Sequence, residues 1–175
     1  QEPRHARVTL RRRRGSTEGP RVAPRPRLAR SRRPPQEVVA PPARREAVQA
    51  AIDAAESTNA DDEIWITRDV AGGYYQNQAL LIEGLRGGLK IVGGFDNCHD
   101  VTPSGVTELH GNGGPRESVL RIYGGDVSLA NLRFTRGDVS AHSGAGISYL
   151  GSGSLLIEDS IIDNNESLSG GGGIG

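Results

Sequence analysis

The chain lacks the features of disulfide-rich, membrane-spanning and nucleotide-binding proteins. Cys98 is the single cysteine among 175 residues, which excludes an intrachain disulfide. No apolar run approaches the roughly 18 residues of a membrane-spanning helix, and no stretch has the charged, apolar and small-residue order of a signal peptide. GxGxxG after a strand, the P-loop and the GxSxG of α/β-hydrolases are also absent, so nucleotide binding and that hydrolase chemistry have no support.

A net charge of zero hides two regions of opposite charge. Residues 1–45 carry fourteen arginines and three glutamates, a net charge of +11. Residues 46–175 carry seven Lys or Arg and eighteen Asp or Glu, a net charge of −11. The first region is rich in Pro and Arg and has few large apolar side chains, so burial cannot offset the entropy of ordering it. We therefore expect residues 1–43 to form a disordered tail.

The arginines of this tail allow a second interpretation. A cluster such as Arg11–Arg14 can bind nucleic acid or another anionic surface through phosphate contacts. No aromatic residue lies among the arginines, so they offer no platform for base stacking. We favour an extended, solvated segment. The chain begins with Gln1 rather than Met, which leaves open whether residues 1–43 are the natural leader.

A repeat runs through residues 124–175. With a shift of 28 positions, the apolar pattern of residues 127–131 falls on residues 155–159, and Phe134 falls on Ile162. With a shift of 27, the glycines and isoleucine of residues 144–147 fall on residues 171–174. A period of about 20–50 residues is typical of solenoid proteins. The repeat therefore predicts stacked coils.

Short apolar runs precede the repeat and are bounded by Gly, Asn, Asp or Pro. They lie at residues 64–66, 80–82, 89–92, 106–109 and 119–122. No helix of the length that βαβ units need separates them. Three such strands and three turns would complete one coil, with coils stacked in parallel about 4.8 Å apart and every second side chain inward. Residues 96–105 lack an apolar period, which predicts a loop that bulges from an early coil.

Residues 44–59 give a clear helix signal. An apolar face forms at helical spacing from Ala47, Val48, Ala51, Ile52 and Ala55, and Asn59 is a suitable C-terminal stop. A solenoid exposes its apolar interior at each end and needs a cap with one apolar face. We therefore predict that residues 44–60 form a capping helix and that residues 61–175 form the coils.

Several motifs together point to a known family. They are REAVQAAIDAA followed by DEIWI, then LKIVGGFD, SVLRIYGGDVSLANLRF, GAGISYLGSGSLLIEDSIIDNN and GGGIG. With these motifs, residues 44–175 resemble the right-handed parallel β-helix repeat proteins of bacterial surfaces and secretions, which are related in fold to pectate lyases and polymorphic outer-membrane proteins. The resemblance implies an all-β fold, a single-stranded right-handed parallel β-helix with an N-terminal capping helix. It also implies an extracellular or cell-surface location and a chain that is an N-terminal fragment, truncated at its C-terminus.

Residues that could carry catalysis are few. Leu109-His110-Gly111 approaches the Gly-His-Gly signature of pectin-cleaving relatives but lacks the first glycine, so we interpret His110 as a turn residue rather than a catalytic one. Glu158 and Asp159 are neighbours in a predicted strand, point to opposite faces and cannot form an acid–base pair by themselves. We therefore assign no catalytic residue.

Metal and cofactor sites have no better support. Residues 97–100 bring a thiol, an imidazole and a carboxylate together, but the spacing does not match structural zinc, so we interpret them as a loop with an incidental cysteine. The glycine runs 111–114 and 170–173 do not continue as calcium-binding nonapeptides and are interpreted as tight turns with positive φ. Asn131 aligned with Asp159, together with residues 163–165, predicts stacked polar ladders that satisfy backbone groups at the corners.

We expect a non-catalytic structural or adhesive part of an exported β-helix protein that contacts carbohydrate or a cell-surface protein. One alternative is a truncated carbohydrate-active enzyme, such as a polysaccharide lyase or hydrolase, because one β-helix can host many functions. The other is binding to nucleic acid or an anionic surface through the Arg-rich tail. We expect neither a cofactor nor a transmembrane segment, do not expect nucleic acid as the main partner, and expect self-association through an open C-terminal coil.

Overall fold

The structure, a computed structural model, describes residues 8–12, 44–68, 74–111, 117–140 and 144–175. These residues form a parallel β-solenoid of about three turns with one helix, α1 (Arg44–Glu56). The strands in chain order are β1 (Val8–Arg12), β2 (Asp62–Thr67), β3 (Tyr74–Tyr75), β4 (Leu80–Ile82), β5 (Leu89–Phe95), β6 (Thr107–His110), β7 (Leu120–Ala130), β8 (Leu132–Thr135), β9 (Asp138–Val139), β10 (Ile147–Glu158), β11 (Ile161–Asp163) and β12 (Glu166–Ser167). The predicted parallel solenoid is confirmed, but β7 and β10, with 11 and 12 residues, are longer than the short strands expected.

The first parallel sheet stacks β2, β5 and the second halves of β7 and β10. Ile64, Ile91, Leu129 and Ile157 occupy matching positions on its four strands. The first three side chains are at most 2% exposed, and Ile157 packs against the same core. This row forms one inner wall of the solenoid.

The second sheet stacks β3, β6, β8 and β11. Tyr75, Leu109, Phe134 and Ile162 form its core row, since each is paired in register with the next. The pairing of Phe134 with Ile162 confirms the first of the two shifts predicted from the sequence.

The third wall contains β4 and the first halves of β7 and β10. Leu80, Leu120 and Ile147 lie in register here, and a bridge extends the row from Ile147 to Ile174. That bridge confirms the second predicted shift, which placed residues 144–147 on residues 171–174. The three rows meet in one apolar core.

An insertion makes the second coil the longest, since the step along the chain from Ile91 to Leu129 exceeds the steps before and after it. The insertion begins after β5 and ends before β6, as predicted for residues 96–105. Arg68 in the first coil forms an ion pair with the insertion, since its Nε lies 2.5 Å from Asp96 Oδ1. Ser104 Oγ donates to the other oxygen of Asp96 at 2.8 Å. The loop is therefore bonded both internally and to the coil before it.

Helix α1 covers the core at the N-terminal end of the coils, as predicted. Val48, Ile52 and Ala55 are buried in the main core cluster. The side-chain amide of Gln49 makes two hydrogen bonds of 2.9 Å with the backbone of Leu81, one as donor and one as acceptor. The helix thus provides an apolar face for the core and polar groups for the strand backbone of β4.

The helix ends at Glu56, earlier than the predicted stop at Asn59. Ser57 Oγ donates to the carbonyl of Ala54 at 2.7 Å, and the Thr58 amide bonds to the carbonyl of Ala55 at 3.0 Å. These bonds close a tight turn that replaces the next helical turn. Local hydroxyl-to-backbone bonding of this kind competes with helix propagation.

Strand β1 differs from the disorder expected for the N-terminal region. Val8–Arg12 pair antiparallel with β2, with Val8 opposite Ile66 and Arg12 opposite Asp62. Val-Thr-Leu favours extended structure, and the edge of β2 provides unpaired backbone groups. The disorder prediction is therefore wrong for these five residues, while the rest of residues 1–43 lies outside the described ranges.

No helix in the described parts of the chain is long and apolar enough to cross a membrane.

Candidate binding surface

The outer face of the first sheet presents one row of side chains that are polar on its first three strands and apolar on the fourth. Glu63, Lys90, Ser128 and Leu156 occupy matching positions on β2, β5, β7 and β10. Lys90 Nζ lies 3.8 Å from Glu63 Oε1, close enough for an ion pair in which the Lys90 side chain is 39% exposed and the Glu63 side chain 14%. Because inward and outward residues alternate along these strands, the buried isoleucine row forces this row onto the surface.

A second row lies two positions earlier along the chain in each coil, at Asp61, Gly88, Asp126 and Ser154. Asp61 Oδ1 accepts a hydrogen bond from the Gly88 amide at 2.8 Å. Ser154 Oγ donates to Asp126 Oδ1 at 2.8 Å and so links the last two coils. The two rows line a shallow cleft of about 260 Å³.

The cleft is acidic, with an apolar margin. The lining has four carboxylates and the ammonium of Lys90, the carboxylates being those of Asp61, Asp62, Glu63 and Asp126. Leu156, which is 53% exposed, provides the apolar margin. Carboxylates accept hydrogen bonds, hydroxyls donate or accept them, and an ammonium donates. The cleft can therefore bind a ligand that is rich in hydroxyl or amine donors and has one apolar face.

A small apolar cluster lies further along the same outer face. Trp65 stacks on Phe95 with ring centroids 4.6 Å apart and an interplanar angle of 9°. Val92 and Ala130 pack with them. Phe95 is 2% exposed. This cluster closes the outer surface where β5 leads into the insertion.

The second sheet has a charged ladder on its outer face. Arg133 binds both carboxylate oxygens of Asp163, at 3.0 and 2.7 Å, and its Nη1 lies 3.3 Å from Glu108 Oε2. The hydrogen bonds from Arg133 hold the pKa of Asp163 below its usual range. The same contact raises the pKa of Arg133. The ladder joins three successive coils and neutralises most of its own charge.

His110 lies beside this ladder and is not the turn residue that the sequence suggested. It is the last residue of β6 and is 3% exposed. Its ring stacks on Tyr74, with centroids 3.9 Å apart, and its Nε2 contacts Glu108 Oε1. Tyr74 and Glu108 thus enclose the imidazole. This enclosure explains its burial and leaves little of the ring accessible to a substrate.

Glu158 and Asp159 do not share a strand. Glu158 is the last residue of β10, whereas Asp159 adopts a left-handed conformation with φ of 46°. The aligned Asn131 has φ of 53°. Asn and Asp tolerate this conformation better than most residues. The alignment of Asn131 with Asp159 thus marks a recurring left-handed corner.

The loop around Cys98 bonds mainly to itself. Asp100 Oδ2 accepts from the Asn97 amide at 2.9 Å, and Asn97 Oδ1 accepts from the His99 amide at 2.9 Å. Cys98 is half-buried. Within the described ranges, no group of three or more His, Cys, Asp or Glu residues is placed to hold a metal ion.

The glycines near the end of the chain serve close packing rather than positive φ. Residues 170–173 are not among the described glycines with positive φ, so the interpretation as positive-φ turns is wrong for this run. A Cβ on Gly172 would lie 2.2 Å from the carbonyl oxygen of Asn165. The carbonyls of Gly171 and Gly172 accept hydrogen bonds from Gly144 and Gly146 in the preceding coil. Of the run 111–114, Gly111 also has no positive φ, and residues 112–114 lie outside the described residues.

Comparisons of the chain with protein-family models, curated proteins and solved structures find no match.

Proposed function

We propose that this chain is a non-catalytic, ligand-binding part of an exported β-helix protein and that its solenoid contacts carbohydrate at the acidic cleft. The observation that supports this is the alignment of Glu63, Lys90 and Ser128 on three successive strands of one sheet. The backbone ladder holds these side chains at regular spacing. A surface ordered before binding loses less entropy when a ligand arrives.

The chemistry of the cleft suits a sugar chain. Sugars present hydroxyl groups at their edges and aliphatic C–H groups on their faces. The carboxylates of Asp61 and Asp126 can accept hydrogen bonds from hydroxyls, Ser128 can donate or accept, and Leu156 offers an apolar contact. The cleft volume of about 260 Å³ lies below the ~300–1,000 Å³ of typical small-molecule pockets. This size suits contact along a chain more than enclosure of a small substrate.

The resemblance to bacterial surface and secreted β-helix proteins supports an extracellular or cell-surface location. A cell-surface protein is the second partner class that such an exposed cleft can serve, because interfaces of this kind are polar at their rims. The ladder on the second sheet is a weaker candidate for a binding site, because Glu108, Arg133 and Asp163 already satisfy one another.

Isothermal titration of the full chain against cell-surface glycans and matrix proteins tests this function. We expect heat of binding with at least one glycan class and a loss of affinity of about tenfold, or about 1.4 kcal/mol, for Asp126→Asn combined with Ser128→Ala. Asp138→Asn is the matched control, because Asp138 is exposed on β9, outside the residues that line the cleft. Absence of heat with every ligand would contradict the proposal.

An activity assay separates this function from catalysis. Polygalacturonate is incubated with the full chain, and unsaturated product is followed by absorbance. We expect no product. Product that is lost in the double variant, but kept by Asp138→Asn, would favour a carbohydrate-active enzyme at the same cleft.

A further inference from the structure

Strand β1 is joined to the solenoid differently from the other described strands. It pairs antiparallel with β2, whereas the pairings within the three walls are parallel. Residues 13–43 separate β1 from α1 along the chain. A stretch of this length can span at most about 100 Å when extended. The connection is therefore long enough for β1 to leave the edge of β2, and its contact with α1, and to return.

The register defines what the edge of β2 accepts. Val8 and Leu10 lie opposite the core residues Ile66 and Ile64. Arg11 lies opposite Glu63. The accepted segment thus alternates apolar and polar residues and ends in basic residues.

Arg12, like Arg11, lies opposite an acidic residue of β2, in this case Asp62. Asp61 immediately precedes Asp62, so the register places the basic end of β1 opposite the acidic residues at the start of β2. Opposite charges across a strand pair are favourable, whereas like charges are unfavourable. The charge at this end of β2 therefore selects against acidic segments.

We propose that the edge of β2 opposite β5 is a strand-acceptor site, which Val8–Arg12 of the same chain occupies in this structure. Its external ligand is an extended peptide with apolar residues opposite Ile64 and Ile66 and basic residues opposite Glu63 and Asp62. Backbone hydrogen bonds along the edge provide affinity, and the alternating side-chain positions provide specificity. Because β1 belongs to the same chain, its pairing with β2 is intramolecular, which protects the edge from weak competitors.

Thr9→Pro in the full chain tests the proposal. The amide of Asp62 bonds to the β5 side at Gly88, so by alternation Trp65 directs its backbone groups toward β1, where Thr9 lies opposite it. Proline at Thr9 has no amide to donate to this edge. The probe is a synthetic Val-Thr-Leu-Arg-Arg peptide with blocked ends. Binding is followed by the fluorescence anisotropy of a dye on the peptide, because exchange of β1 for a peptide of the same sequence leaves the surroundings of Trp65, which lies opposite Thr9, unchanged. A cis strand that fills the edge nine-tenths of the time lowers the apparent affinity about tenfold. We therefore expect the peptide to bind the variant about tenfold more tightly than it binds the wild-type chain.

Two control peptides separate strand pairing from simple charge attraction. In the first, both arginines are replaced by glutamates; in the second, alternate backbone amides are methylated. We expect both to bind the Thr9→Pro chain at least tenfold more weakly than the parent peptide. Equal binding of either control, or no binding of the parent peptide, would overturn the proposal.

The wild-type chain provides a second test if the variant does not fold. The parent peptide at several mM should displace β1 and shift the amide resonances of residues 8–12, and the glutamate peptide should not. Unchanged resonances for β1 under these conditions would also overturn the proposal.

Discussion

The side chain of Asn165 accepts a hydrogen bond from the amide of Gly137, one coil earlier, at 2.8 Å. Its Nδ2 also donates to the carbonyl of Phe134 at 2.9 Å. Backbone groups at a corner lie outside the regular strand ladder, and buried ones need another partner. The polar ladder predicted from residues 163–165 is thus confirmed at Asn165.

Asn165→Ala should destabilise the solenoid by about 2–4 kcal/mol. The substitution leaves two backbone groups without their partner, and each unsatisfied buried group costs about 1–3 kcal/mol. Urea unfolding followed by circular dichroism measures the change. Glu166→Ala is the matched control, since this neighbouring side chain is exposed on β12, and it should change stability by less than about 0.5 kcal/mol. Similar losses for both variants would show that the corner bond is unimportant.

Gly93→Ala should also destabilise the fold, by about 1–3 kcal/mol or more. A Cβ at Gly93 would lie 2.4 Å from the carbonyl oxygen of Asn131 and 2.8 Å from the Cβ of Thr107. Neither atom can move without a shift of a stacked strand. Thermal unfolding compares this variant with Gly84→Ala, whose new Cβ would have only ordinary contacts of 3.6 Å and beyond, with Glu56. A melting temperature for Gly93→Ala equal to that of Gly84→Ala would contradict this account.

The rows of core residues could be predicted from the sequence, because the residues that one coil buries recur one coil length later along the chain. Leu155 lies on Val127, and Ile162 on Phe134, as the first predicted shift indicated. Each coil must place an apolar residue at the same point of the core, so apolar residues recur along the sequence with the length of one coil. The insertion at residues 96–105 was visible for the same reason, as a break in that pattern.

The outer contacts could not be predicted in this way. Arg133 lies in register with Ile161 but binds Asp163, two residues further along β11. A long side chain on the surface can reach diagonally, so its partner does not follow the coil period. The stacking of Tyr74 on His110 was missed because the connection between β3 and β6 includes the insertion, which hides their pairing.

Strand β1 was missed for a compositional reason. Val8–Leu10 is a short run with good strand propensity inside a segment dominated by arginine and proline. Propensity over so few residues does not overcome chain entropy without a partner. The partner is the edge of β2, and its presence beside β1 depends on tertiary structure.

The ion pair between Arg133 and Asp163 should make stability depend on acid pH. The hydrogen bonds from Arg133 lower the pKa of Asp163 in the folded chain. A carboxyl group with a lowered pKa stabilises the fold above its unfolded pKa, about 3.9 for Asp, and this contribution is lost as pH falls through the folded value. Asp163→Asn should therefore melt below the wild-type chain at pH 7, and the difference should shrink below about pH 4. Asp138→Asn is the control. A difference in melting temperature that stays constant from pH 7 to pH 3 would refute the role of this pair.

The last coil should drive concentration-dependent self-association of the chain. β11, β12 and the second half of β10 lie at the end of their sheets in the described structure, whereas residues 171–175 pair with the first half of β10. Leu156, Ile161 and Ile174 are about half exposed in this last coil. Unpaired strand edges beside apolar side chains are templates for another chain. Sedimentation velocity at rising concentration should show growth of larger species, which Ile161→Lys should reduce because a charge on an edge strand opposes pairing. Val101→Lys, an equal change on the exposed insertion, should have no effect. A monomer at all concentrations, or equal effects of the two lysines, would exclude association through this edge.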